Sequence, residues 1–139
     1  MIVLDSNVVS ELMRASPAPA VLEWLGRQAA AELFTTAISV AEVRYGIARM
    51  PEGPRRHALA QAADGVFDAF PEQVLPFDGR AAAAYATLVA ERERAGHPIN
   101  GFDAQIASIC RVHGAVLATR NVKDFHGTGV TTTDPWQSD

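Results

Sequence analysis

Short runs of apolar and β-branched residues alternate along the chain with longer stretches in which apolar residues recur every three or four positions. Runs of the first kind are typical of strands and those of the second kind of helices, so their alternation predicts an α/β domain with a mostly parallel sheet. Because residues 1–4 form a continuous apolar run, we expect that strand to be covered on both faces. The predicted strands are residues 1–4, 33–36, 74–76, 115–119 and 130–133.

Helical periodicity occupies the segments between these strands. In residues 55–70 the apolar Leu59, Ala63, Val66 and Phe70 share one face, which favours packing against the core over a face that pairs two copies of the chain. Helices are predicted over residues 7–13, 18–30, 39–51, 55–70, 79–95 and 102–114, and a loop or single turn over 121–129.

Size and composition narrow the classes of protein to consider. With 139 residues, of which 48% are hydrophobic and 20% charged, the chain is predicted to form one compact domain over residues 1–139. No apolar stretch approaches the ~20 residues of a membrane helix, and the acid at position 5 argues against a signal peptide. The single cysteine, Cys110, lies in an apolar run and is expected to be a buried free thiol in a reducing cytoplasm.

The charge balance excludes one mode of nucleic-acid binding. A formal net charge of −4, from 16 acids and 12 bases, argues against a protein that holds nucleic acid by bulk positive charge alone. Eleven of the twelve bases are arginine, whose planar fork matches phosphate oxygens, but codon composition alone also produces this bias. The arginine content therefore carries little weight by itself.

Acidic and amide side chains fall where the predicted strands end or where the next helices begin. Asp5 directly follows the first strand, and Asn121 and Asp124 follow the fourth. Glu42 and Asp103 lie in the first turns of the third and sixth predicted helices. Because parallel strands end, and their crossover helices begin, at the same edge of a sheet, we expect these residues to meet in one ligand-binding crevice.

Each acid also has a purely structural interpretation. Asp5 would cap the first helix, and Ser39 with Glu42 matches the S-x-x-E capping box. Asp103 would complement the dipole of its helix, and Asp124 would hold a turn. Taken singly, Glu42 and Asp124 fit the structural interpretation better, whereas Asp5 and Asp103 fit both equally well. Their convergence at one edge favours a functional site.

Several carboxylates in one crevice repel one another unless protons or cations neutralise them, so the cluster predicts a bound cation. Oxygen ligands suit Mg²⁺ or Mn²⁺, and no histidine or cysteine stands near this edge at zinc spacing. A carboxylate-held cation can orient a phosphodiester, activate a bound water by lowering its pKa, and stabilise charge on the phosphoryl oxygens. The residues therefore favour metal-dependent phosphodiester hydrolysis. Isolated surface or loop positions are expected for His57, His97, His113 and His126.

Five motifs, taken in order, carry a resemblance to a known family. They are Asp-Ser-Asn at 5–7, SVAEVRYG at 39–46, FDAQIA at 102–107, TRNVKDF at 119–125 and DPW at 134–136. In motif order, spacing and length the chain resembles the PIN domain, and more narrowly the VapC and FitB type of toxin ribonuclease from bacterial type II toxin–antitoxin modules. The resemblance extends over essentially the whole chain.

The resemblance implies a three-layer α/β fold, with a five-stranded, mostly parallel sheet and helices on both faces. It also implies a Mg²⁺- or Mn²⁺-dependent ribonuclease that forms a homodimer and is inhibited by a cognate antitoxin. The family's catalytic, metal-binding acids correspond to Asp5, Glu42 and Asp103. Many PIN domains carry a fourth acid where this chain has Asn121, so we expect Asp124 to complete the cluster.

Other polar residues near the same edge are candidates for supporting roles. Asn7, Thr119 and Asn121 are expected to hold a water or the metal ligands in place. Arg120 and Lys123 are candidates for contact with RNA phosphate, although ordinary solvated charges explain them nearly as well.

Three other functions are open at this point. An aspartyl-phosphate enzyme of the haloacid dehalogenase type would also use Asp5, but it requires a second acid where this chain has Asn7. A receiver domain requires a phospho-acceptor Asp and a lysine after later strands, but the only lysine, Lys123, is followed by no suitable strand in register. A non-catalytic PIN scaffold would bind RNA or a protein partner; the presence of Asp5, Glu42 and Asp103 argues against it.

Overall fold

Five short strands and six α-helices make up the described part of the chain, residues 1–137, in the computed structural model. The strands are β1 (Ile2–Leu4), β2 (Leu33–Thr36), β3 (Val74–Leu75), β4 (Val116–Ala118) and β5 (Thr132–Thr133). The helices are α1 (Ser6–Leu12), α2 (Pro19–Gly26), α3 (Ala37–Ala48), α4 (Pro54–Asp68), α5 (Gly79–Arg94) and α6 (Gly101–His113). Short 3₁₀ turns, Ala30–Glu32 and Val122–Phe125, precede β2 and follow β4.

All pairings in the sheet are parallel, and the strand order is β3-β2-β1-β4-β5. The central strand is β1, in which Val3 pairs with Phe34 on one side and with Leu117 on the other. Because the strands run in the same direction, β1, β2 and β4 all end at one edge of the sheet. The predicted α/β class with a parallel sheet is confirmed.

Helices cover both faces of this sheet. Val3 and Leu4 are adjacent in β1 and fully buried, and successive side chains of a strand point to opposite faces. Val3 belongs to a core that includes Leu88 of α5 and Ile106 of α6, whereas Leu4 packs in a second core with α1 to α4. The fold therefore has three layers, and β1 is covered on both faces, as its apolar run predicts.

The apolar face of α4 packs against the second core. Ala63 is fully buried, and Leu59 and Val66 are partly buried beside it. Phe70, which follows the helix, is also buried in this core. The core interpretation of the 55–70 periodicity is confirmed, because this face is already occupied within one chain.

The junction between β2 and α3 differs from the prediction. The helix begins at Ala37 and not at Ser39, and Thr36, the last residue of the strand, is its N-cap. The Thr36 hydroxyl accepts a hydrogen bond from the Ser39 backbone N–H at 3.0 Å. The predicted capping box at Ser39 was therefore wrong, because the strand itself supplies the cap. Glu42 consequently lies in the second turn of the helix and not in the first.

The remaining boundaries shift by a few residues. The second helix ends at Gly26 and not at residue 30, because the chain turns into the 3₁₀ segment before β2. The predicted loop or single turn over 121–129 contains the 3₁₀ turn Val122–Phe125. Within residues 1–137, none of the helices has the length and apolar character that crossing a membrane requires.

The cysteine is buried and free, as predicted. Burial raises the pKa of the Cys110 thiol to about 12, and the nearby Asp5 charge contributes to the same shift. The thiol therefore stays protonated at neutral pH and acts as a small apolar side chain of the first core.

Candidate functional site

A crevice of about 610 Å³ opens where β1, β2 and β4 end. The parallel topology brings its polar residues together, although they come from opposite ends of the chain. Of the residues singled out in the sequence, the crevice is lined by Asp5, Asn7, Glu42, Asp103, Arg120 and Asn121.

Asp5 is the most buried acid of the crevice, with 3% of its surface exposed. One carboxylate oxygen accepts a hydrogen bond from the Ser6 backbone N–H at 2.8 Å, and the other accepts from the Thr119 hydroxyl at 2.8 Å. Burial raises the pKa of Asp5, and these hydrogen bonds offset part of the rise because they favour the charged form. Asp5 therefore caps α1, and it also presents a buried carboxylate to the crevice.

Thr119 and Asn7 form a network around this carboxylate. The Asn7 side-chain amide donates to the Thr119 hydroxyl oxygen at 3.3 Å and, at 3.5 Å, to Asp5. Asn7 also accepts from the backbone N–H of Arg120, while Thr119 accepts from that of Asn121. The network joins the end of β1 to the end of β4, so it fixes the Asp5 carboxylate relative to the residues that follow β4.

Glu42 is half-buried and has no capping role. Its Oε1 atom is buried without a hydrogen-bond partner in the described part of the chain. Burial raises the pKa of this carboxyl, and the charges of Asp5 and Asp103 raise it further, with a partial offset from the Ser6 side chain. An unpartnered buried carboxylate oxygen costs free energy unless a ligand or proton reaches it.

Asp103 lies in the first turn of α6, as predicted. The Asn100 side chain caps this helix by accepting from the backbone N–H groups of Phe102 and Asp103 at 2.9 and 3.3 Å. Burial raises the pKa of Asp103 to about 6, and the charges of Asp5 and Asp124 contribute to the rise. At neutral pH the crevice therefore holds crowded, poorly solvated negative charge.

Asp124 lies beside the crevice and not among its lining residues. It is exposed in the 3₁₀ turn after β4, where it lines a smaller cavity of about 230 Å³ that it shares with Asp103. Its charge still acts on Asp5 and Asp103. Asn121 lines the crevice and Asp124 does not, so the crevice has an amide there and not the expected carboxylate.

The two basic candidates, Arg120 and Lys123, differ in whether they line the crevice. Arg120 lines the crevice, and its guanidinium lies 4.8 Å from the centre of the Trp136 ring. Lys123 lies outside the crevice, in the neighbouring cavities of this surface. Both residues line one cavity of about 470 Å³ together with Asn121 and Asp124, so their role in contacting RNA phosphate stays a prediction.

The donor set of the crevice fits a hard divalent cation. Its lining residues offer carboxylate, amide and hydroxyl oxygens, one of them the unpartnered Oε1 of Glu42, and neighbouring acids raise the pKa of Glu42 and Asp103. A cation among them would relieve both conditions. Within residues 1–137, no three Asp, Glu, His or Cys side chains already stand as a metal-binding group, so the fit rests on donor chemistry.

Comparison with known proteins now identifies the family. The sequence model described as the PIN domain matches residues 2–129. The chain belongs to the PIN domain family. This PIN domain is 42% identical over 138 residues to the VapC ribonuclease Y4jK of Sinorhizobium fredii, covering 99% of each chain. It is 33% identical to Toxin FitB of Neisseria gonorrhoeae, covering 98% of this chain and 99% of FitB.

A solved structure agrees with the sequence comparisons. The structure of FitAB bound to the IR36 DNA fragment superposes with a TM-score of 0.92 at 32% identity, covering 100% of this chain and 98% of the other. These comparisons confirm the predicted resemblance to VapC and FitB. They also set aside the aspartyl-phosphate and receiver-domain alternatives, because the PIN domain match extends over most of the chain.

Arg92 is a residue of this PIN domain that sequence reasoning missed. Its guanidinium donates from Nε to the His97 carbonyl at 2.6 Å, and from one Nη to the carbonyls of Asp124 and His126 at 3.2 and 2.8 Å. It joins the loop before α6, the helix that carries Asp103, to the turn after β4, which carries Asp124. No local pattern signals these contacts, because two of the three partners lie 32 and 34 positions away.

Among the other residues that line the crevice, Trp136, Glu11 and Arg14 had no predicted role. Trp136 lies against Arg120, and its backbone N–H donates to Asp134 at 2.9 Å, so the DPW motif was the available signal. Glu11 is buried and paired with Arg14 at 3.2 Å. The Glu11–Arg14 pair closes the crevice on the α1 side and has no signature in the periodicity.

We expect Thr119→Val to weaken divalent-ion binding by this PIN domain about 10- to 100-fold, because outer hydrogen bonds position and tune metal ligands. The variant removes the donor to Asp5 and so raises the pKa of that carboxyl. Thr119→Ser keeps the hydroxyl and serves as the matched control. Calorimetric titration with Mn²⁺ measures the effect, and equal affinities for the Val and Ser variants would contradict it.

We expect Asp103→Asn to stabilise the metal-free PIN domain at pH 7.5 by about 1 kcal/mol, discounted for partial exposure. The folded pKa of about 6 exceeds the ordinary 3.8, so the folded state binds the proton more tightly. The carboxyl therefore costs stability progressively as pH rises from about 4 through 6.

Urea unfolding in EDTA at pH 7.5 and pH 4 measures this difference. At pH 4 the gain from Asp103→Asn is expected to vanish, because the wild-type carboxyl is then protonated when folded. The exposed Glu23→Gln is the control and should show no comparable gain. A destabilised Asp103→Asn protein at pH 7.5 would contradict the prediction, because it would show that the charged Asp103 carboxyl does not cost stability.

Proposed function

We propose that this PIN domain is the toxin of a type II toxin–antitoxin module and a Mg²⁺- or Mn²⁺-dependent ribonuclease that hydrolyses RNA phosphodiester bonds. One observation carries the proposal: Asp5, Glu42 and Asp103 share one crevice with an unpartnered buried carboxylate oxygen. Its similarity to a VapC ribonuclease and to Toxin FitB supports this proposal.

In this proposal Asp5, Glu42 and Asp103 hold the cation, and Asp124 adds negative charge beside Asp103. The cation supplies the chemistry of phosphodiester hydrolysis, since it orients the phosphate, lowers the pKa of a water and stabilises phosphoryl charge. The hydrogen bonds from Thr119 and Ser6 favour the charged form of the Asp5 carboxylate and offset part of the rise that burial causes in its pKa.

The residues around the acids would position the RNA. Arg120 brings a positive charge to an otherwise acidic crevice, and its stacking on Trp136 restricts where that charge lies. A guanidinium so placed suits a phosphate oxygen. Asn7, which lies just after β1, accepts a hydrogen bond from the backbone N–H of Arg120, and Asn121 offers an amide to the crevice.

Cleavage of RNA should require Mg²⁺ or Mn²⁺ and stop in excess EDTA, and Asp5→Asn should reduce it by more than about a hundredfold. Asparagine also caps a helix, and it removes a carboxyl whose pKa is already raised, so the variant should fold normally. The measurement is mapping of ends generated from a pool of cellular RNA.

Two controls protect this experiment. Glu23→Gln, on the exposed face of α2, should cleave like the wild type, and melting curves should show that Asp5→Asn is folded. Cleavage in EDTA by protein free of contaminating nuclease would overturn metal dependence. A wild-type protein that binds RNA but never cleaves it would favour the non-catalytic scaffold.

The toxin role predicts a cognate antitoxin with a basic side chain that enters the crevice and pairs with its carboxylates. Co-expression should yield a stable complex whose RNA cleavage is suppressed, because the acids are occupied. A stable complex that cleaves RNA at the uninhibited rate would rule out occlusion of this crevice.

We also propose that the toxin is a homodimer, which light scattering of the purified chain and complex would measure.

A further inference from the structure

A second cavity, of about 400 Å³, lies on the surface next to the acidic one. Arg92, His97, Lys123 and His126 line it. The acid among its lining residues, Glu91, is paired with Arg111 at 3.8 Å. Arg92 and Lys123 therefore give this basic cavity a net positive charge in a chain whose net charge is −4.

The positive charge of Arg92 is fixed in place and not neutralised. Its donors go to the carbonyl oxygens of His97, Asp124 and His126, which carry no net charge. No ion pair joins Arg92 to a carboxylate within residues 1–137. Because its partners are the backbones of His97 and His126, the same contacts hold both histidines at the mouth of the cavity.

The basic cavity is related to the acidic crevice through a third, smaller cavity that shares one lining residue with each. Arg92 also lines the small cavity that contains Asp103 and Asp124, and Asp103 lines the crevice. The order along the surface is therefore the acids, then Arg92, then Lys123 with the histidines. A strand of RNA whose reacting phosphate lies at the acids has a direct path to the basic cavity.

We propose that the basic cavity binds a backbone phosphate of the RNA substrate next to the phosphate that is cleaved, with Lys123 and Arg92 supplying the charge. This inference rests on the proposed function. An acidic peptide bound in the basic cavity would pass Asp103 and Asp124, whose carboxylates repel its negative charge. RNA bound in the same cavity would instead place its next phosphate against the cation that the crevice holds in the proposed function. A net-negative protein also needs such a local site to hold a polyanion.

Lys123→Gln tests the proposal because the side chain is exposed, so its loss does not threaten folding. Binding of a fluorescein-labelled single-stranded RNA is measured by anisotropy over a series of salt concentrations, both in Ca²⁺, a cation that takes oxygen ligands, and in EDTA. The variant should bind about fivefold more weakly at low salt, and the slope of log affinity against log salt should fall by about 0.7, the value for one lost phosphate contact. In cleavage assays the defect should appear in KM.

Arg94→Gln is the matched control, since it removes an exposed arginine from the same end of α5 without touching the cavity. It should bind RNA with the wild-type salt slope. A wild-type slope for Lys123→Gln would overturn the phosphate site. The phosphate site would also be overturned if Lys123→Gln bound RNA normally but formed a weaker complex with the antitoxin, because the cavity would then be a protein interface.

The outcomes separate this inference from the proposed ribonuclease. If the wild type cleaves RNA and Lys123→Gln binds it normally, the basic cavity is not a phosphate site and the ribonuclease stands. If Lys123→Gln flattens the salt slope but the wild type never cleaves, the phosphate site stands and the ribonuclease fails. A wild type that binds no RNA, either in Ca²⁺ or in EDTA, overturns both.

Discussion

Parallel pairing is the constraint on which the rest of the molecule depends, because it determines where β1, β2 and β4 end. Asp5 follows β1, Glu42 lies on the helix after β2, and Asp103 lies on the helix that leads into β4. Reversing any of these strands would send one acid to the opposite edge. The apolar cores on the two faces therefore support the site, since they hold the sheet in this arrangement.

Gathering the acids costs free energy that the rest of the fold must offset. Desolvation raises the pKa of Asp5, Glu42 and Asp103, and repulsion from neighbouring carboxylates, Asp124 among them, adds to each rise. A folded protein keeps such charges together only where packing elsewhere is sufficient, and buried groups with raised pKa values cluster at functional sites. In the function we propose, the crowded carboxylates that destabilise the metal-free protein also give the crevice its affinity for a cation.

Two sets of long-range hydrogen bonds hold the edge of the sheet together. Thr119 and Asn7 connect the end of β1 to the residues after β4 and fix the Asp5 carboxylate. Arg92 connects the loop before α6 to the turn that carries Asp124. Side chains that react with one substrate must be held within a fraction of an ångström, which backbone and hydroxyl contacts of this kind accomplish.

The sequence by itself determined the strands, most of the helices and the acids at strand ends, because apolar periodicity and the order of motifs are local properties. Tertiary structure decided that Thr36 caps α3, which freed Glu42 from a capping role. It also put Asn121 inside the crevice and Lys123 outside it. These outcomes depend on contacts between segments far apart in the chain and on where one 3₁₀ turn ends. Neither feature can be read from the spacing of apolar residues in the sequence.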